Sequence, residues 1–150
     1  MPTLEGLDTH KHLKDAFAEE AVTAYRYLYF AKIADIEGQP DVAQLFRDLA
    51  EGGICNAHGS LDFLRTEGDP LTGAPIGETD RNLHAALLAE STEFNELYPE
   101  MAVVAHSEGF PDIASWFETL TKLKRAHAQQ LRQAITRLEQ GQGSEEGEER

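Results

Sequence analysis

Apolar residues recur at helical spacing through four long stretches of the chain, and glycine or proline separates each stretch from the next. The first starts near Asp8 or Thr9 and stops at Gly38, and the second runs from Pro40 or Asp41 to Gly68. The third runs from Thr79 or Asp80 to Gly109, and the fourth from Pro111 to about Gly141. The fourth shows the periodicity well, with Ile113, Phe117 and Leu120 followed by Leu131, Ile135 and Leu138. The links at Gly38 and Gly109 are short, whereas "GDPLTGAPIGETD" between the second and third stretches is too long for a tight antiparallel turn. An all-α chain with two short links around one long crossover is predicted to form a ferritin-like four-helix bundle of two helical hairpins. The boundary is set at residues 1–140 for the helical domain, with 141–150, "GQGSEEGEER", as an acidic disordered tail.

An internal repeat supports the hairpin pattern. "AKIADIEGQPDVAQLFRDL" (31–49) lies on "AVVAHSEGFPDIASWFETL" (102–120) at constant offset. Carrying that register onward sets Gly53 opposite Lys124 and Asn56 opposite His127.

Polar residues interrupt the apolar stripes at matching depths. Glu20 breaks Leu13, Phe17, Ala24 and Tyr27 in the first stretch. Glu90 and Glu93 break Leu83, Leu87, Leu97, Met101 and Val104 in the third. Lys124 and His127 share one face of the fourth, and Gly53 and Asn56 lie among Val42, Leu45, Leu49 and Phe63 in the second. Burying several unpaired carboxylates is prohibitive, so a cation must sit among them: a metal ion, or Lys124 itself. Gly52, Gly53 and Gly59 crowd the middle of the second helix, where each costs roughly 1 kcal/mol against alanine. Either a side chain has been removed there or room has been made.

Composition narrows the class. A chain of 150 residues is most simply one domain, and a net charge of −14 argues against nucleic acid. One cysteine, Cys55, permits no internal disulfide and suits a reducing compartment. No apolar run approaches a membrane span, and "MPTLEGLDTHKHLKDAF" lacks an apolar signal core, so a cytoplasmic location without membrane contact is expected.

The segments "LKDAFAEEAVTAYRYLYFAK", "PIGETDRNLHAALLAESTEFNELYPEMAVVAHSEGF" and "IASWFETL" resemble the rubrerythrin family, over about residues 8–139. The resemblance implies a ferritin-like bundle whose non-haem di-iron site reduces hydrogen peroxide. By motif, Glu20, Glu90, Glu93 and His127 match ligand positions, and Tyr27 and Tyr98 match tyrosines beside the site. Gly53 and Lys124 stand at the two bridging-glutamate positions, and Asn56 replaces the other histidine. The rubredoxin module of many relatives is missing, as the single cysteine requires.

These departures predict no metal, or at most one iron, manganese or zinc ion per chain, and no full di-iron centre. Lys124 is expected to pair internally with the carboxylates, the alternative being that its stem snorkels to solvent. Cys55 is expected to be a small buried residue, with a redox or ligand role as the alternative. Trp116 is expected in the core or at a dimer contact, and His58, His84 and His106 at the surface or just behind the ligand positions. The function read from these features is a metal-free or metal-poor binding or partner protein, forming a homodimer. The competing reading is a single-metal oxidoreductase acting on peroxide or another small oxidant, supplied by an external electron donor.

Overall fold

The computed structural model describes residues 3–148, with side chains as far as Gln142. Its described residues are helices and connecting turns. Helix α1 spans Asp8–Ile36, α2 Pro40–Leu64, α3 Thr79–Thr92, α4 Tyr98–Ser107 and α5 Pro111–Glu148. A π-helical turn, Glu93–Leu97, joins α3 to α4. The chain is all-α, and its two compact units, Met1–Pro70 and Leu71–Arg150, are each a helical hairpin, as the repeat predicts.

Both hairpins turn the same way. Gly38 and Gly109 each follow a helix with φ of 75° and 86°, a left-handed conformation that a side chain would strain. The next residue bonds back five positions: Gln39 N–H donates to the Ala34 carbonyl and Phe110 N–H to the Ala105 carbonyl, at 2.8 Å and 2.9 Å. Pro40 and Pro111 then open the following helix, where a missing N–H costs nothing. Even the polar contact beside the turn is repeated: Arg47 meets Asp35 at 2.9 Å, and the His106 ring lies 3.1 Å from the Glu118 carboxylate.

The seams within the hairpins differ from the stripes that the sequence suggests. Apart from Leu64, every fully buried hydrophobic side chain among the described residues is an alanine. On α2 the buried positions Ala43, Ala50, Ala57 and Leu64 fall every seven residues, the spacing of a close helical seam. They face Ala24, Ala31 and Ala34 of α1. In the second unit Ala102 and Ala105 of α4 repeat that pattern with Ala114 of α5. Small side chains let two helices approach, so the larger members of the stripes are pushed to the flanks. Leu45 is 54% exposed, Phe63 70% and Trp116 57%, so Trp116 does not belong to the core of its hairpin.

Two further details depart from the periodicity. Helix α5 continues through Gly141 to Glu148, past the expected helix end, because glutamates favour helix and no proline stops it. Of the segment 141–150 assigned as a tail, the side chains beyond Gln142 and residues 149–150 lie outside the described residues. The third stretch is not one uniform helix, since the π turn interrupts it. Pro99 has no N–H to give the Asn95 carbonyl, and its ring would collide with that carbonyl in a regular α-turn. An extra residue in the turn relieves the clash, and Tyr98 N–H donates five residues back to the Glu93 carbonyl.

Candidate functional site

The second hairpin gathers four of the candidate side chains. Glu90 sits on the last turn of α3, Glu93 opens the π turn, and Lys124 and His127 project one turn apart from α5. The Lys124 ammonium lies 3.3 Å from Glu90 Oε1, to which it donates a hydrogen bond, and 3.0 Å from Glu93 Oε2. The His127 Nδ1 atom is 3.5 Å from Glu90 Oε2. About a fifth of each carboxylate side chain and 24% of the lysine side chain are exposed, so the cluster is half-buried. The Lys124 side chain therefore turns inward and does not snorkel. The Oε2 atoms of both glutamates are shut from solvent and accept no aligned hydrogen bond, and the Lys124 ammonium offsets part of their charge. Burial pulls the lysine pKa down, but the hydrogen-bonding and charge of Glu93 and Glu90 outweigh it, and the net shift is upward.

The first hairpin holds Glu20, Gly53, Cys55 and Asn56. Glu20, half-buried on α1, receives a long contact from the Asn56 amide of α2, at 3.5 Å from Oε2. Gly53 is buried one turn before Asn56. A Cβ built there would stand 3.3 Å from both Ala24 Cβ and the Glu20 carbonyl oxygen. Cys55 is exposed, which corrects the expectation of burial. Two residues past Gly53 it points about 200° around the helix, away from the seam. Tyr27 packs on Phe46, ring centroids 5.6 Å apart, and its repeat counterpart Tyr98 stacks on Phe117 at 6.4 Å. His58, His84 and His106 are exposed.

Among the described residues no three His, Cys, Asp or Glu side chains are arranged to hold one ion. The donor chemistry is more informative. A pair of metal ions needs carboxylates that bridge it and neutralise part of its charge. In the second hairpin Glu90 and Glu93 already hold a cation, and in the first the side-chain space beside Gly53 is occupied. Asn56 presents a neutral amide to Glu20. The residues present do not fit a di-metal centre. The π turn was the feature that sequence reasoning missed, although Pro99 within a helical pattern was its signal.

Known proteins give the arrangement its context. The family model for rubrerythrin matches residues 66–149, which take in nearly all of the second unit. Over 98% of its length the chain is 34% identical to rubrerythrin of Porphyromonas gingivalis, covering 76% of that protein. It is 29% identical over 99% of its length to rubrerythrin-1 of Clostridium acetobutylicum, covering 80% of it. The rubrerythrin of Nitratidesulfovibrio vulgaris is 29% identical over 94% of the chain, which covers 76% of that relative.

Proposed function

The chain belongs to the rubrerythrin family, and from that premise we propose that it is a metal-free or metal-poor member that serves as a binding or partner protein. The observation that carries this reading is the Lys124 ammonium held by both Glu90 and Glu93. An ammonium supplies one positive charge that needs no cofactor and cannot cycle between oxidation states. A chain built around it offsets part of the charge of its carboxylates without the ions that peroxide reduction requires. The loss of the other donor types, at Gly53 and Asn56, points the same way.

Its partner includes a second copy of itself. Each hairpin buries alanines and leaves its large apolar side chains uncovered: Val42, Leu45 and Leu49 on one, Ile113 and Trp116 on the other. On the second hairpin Leu97, Met101, Val104, Phe110, Ile113 and Phe117 line a groove of about 630 Å³. The repeat gives both hairpins the same face, which favours pairing with its own kind in a two-fold homodimer. Among the described residues no helix is long and apolar enough to cross a membrane. With its thiol exposed at Cys55, the protein suits the reducing cytoplasm.

Elemental analysis of protein purified without chelators, coupled to peroxide turnover with an artificial reductant, tests the reading. The expected result is at most one tightly bound metal per chain, no near-ultraviolet band of an oxo-bridged ferric pair, and no turnover. Two irons per chain would overturn it. One metal with turnover would replace it by the single-metal oxidoreductase.

A further inference from the structure

The two bridging positions have changed in opposite ways. Lys124 fills its place with a long side chain that reaches the carboxylates. Gly53, its counterpart in the repeat, offers no side chain, and the space for one has been taken. The atoms nearest its missing Cβ are the Ala24 Cβ at 3.3 Å, the Glu20 carbonyl oxygen at 3.3 Å and the Ala24 Cα at 3.6 Å. None of them is the end of a flexible side chain, so only a shift of α1 itself could make room. Gly52 and Gly59, on the same helix, have nothing within 4 Å of theirs. The three glycines are not interchangeable.

We infer that Gly53 is a packing residue that draws α1 against α2 at Glu20, and that this closure has sealed the place from which the first hairpin would donate a carboxylate. A glutamate at position 53 would carry four heavy atoms beyond a Cβ that is already crowded. It could enter only if α1 backed away over Glu20 and Ala24, loosening a seam that depends on close approach. The same closure leaves Asn56, one turn on, within 3.5 Å of the Glu20 carboxylate. The departure from a di-metal centre is therefore built into backbone packing in the first hairpin, whereas in the second it rests on one replaceable side chain.

Alanine at each glycine in the full-length protein, followed by denaturant unfolding in chelator, separates packing from propensity. Gly52→Ala and Gly59→Ala are expected to shift the equilibrium about fivefold each toward the folded state, the helix-propensity gain. Gly53→Ala is expected to gain nothing or to lose stability. A gain at Gly53 equal to the other two would overturn the inference. A second comparison reads the site directly, by iron per chain in Asn56→His/Lys124→Glu with and without Gly53→Glu. Adding Gly53→Glu is expected to bring no further iron, or to unfold a protein that Gly52→Glu leaves folded. An additional iron in the triple variant would overturn the proposal. Neither measurement depends on the metal content or activity of the unaltered protein, so its failure is distinct from a failure of the proposed function.

Discussion

Replacing Lys124 by methionine keeps the length of the stem and removes only the charge. The ammonium stands 3.0 Å and 3.3 Å from its two carboxylate partners. At an effective dielectric near 20, each contact of that length is worth roughly 5 kcal/mol of gross attraction. Desolvation and the residual water contact of a side chain that is 24% exposed cancel much of this. Exposed pairs are worth about 0–1 kcal/mol and stranding a fully buried charge about 3–5 kcal/mol; a half-buried cluster falls between, at about 2–3 kcal/mol. There is also a ceiling. A stranded carboxylate can take up a proton, which at pH 7 costs about 4 kcal/mol from an ordinary glutamate pKa. For a chain of this size the loss corresponds to a melting temperature lower by roughly 5–10 °C.

The pH dependence carries a second signature. Since the folded protein holds the lysine pKa above its ordinary 10.5, the stabilisation is complete at lower pH and is lost as pH rises through the folded value. The wild-type advantage over Lys124→Met should therefore persist through neutral pH and shrink only in strong alkali. Urea unfolding of both proteins at pH 7, 9 and 11, with equal m-values, reads the difference. Divalent-ion affinity should rise in the variant, since Glu90, Glu93 and His127 would be released from their competitor. A variant with unchanged stability and unchanged metal affinity would refute the reasoning.

Two further outcomes test the fold around the site. Trp116→Glu places a charge in the uncovered face of the second hairpin and should convert a dimer to monomer in sedimentation equilibrium; a retained dimer would move the interface elsewhere. Pro99→Ala restores the missing N–H, so a crystal structure should show regular i→i−4 bonding through residues 93–97, and a persistent π turn would show that proline is not its cause.

The hairpins were legible because their signals are local. Gly38-Gln39-Pro40 and Gly109-Phe110-Pro111 specify a left-handed residue and then a proline-opened helix, within a few residues and without help from the rest of the chain. Glu90 and Glu93 likewise meet Lys124 and His127 as helical spacing suggests, since both pairs lie one turn apart on their own elements. Burial was less legible. Periodicity marks which residues share a face but not which of two apolar faces forms the closer seam, and alanine and leucine count alike as apolar. The distance between two helices decides it: alanines every seven residues along α2 permit an approach that Leu45 and Leu49 would prevent.

Gly53 marks where sequence reasoning runs out for the site itself. Its three-glycine neighbourhood raised the choice between a deleted side chain and a space kept open for something else. From the sequence both are equally good, because a glycine records only what it lacks. The neighbours decide: Ala24 and the Glu20 carbonyl occupy that space, and they belong to another helix some thirty residues earlier. A substitution that first removed a donor would leave a void beside Glu20, and a void in a helix seam forfeits contacts on both sides. Closing the seam recovers those contacts but fixes the glycine, since any later side chain must reopen it. At position 124 a long side chain instead reaches in among the carboxylates and meets them with charge.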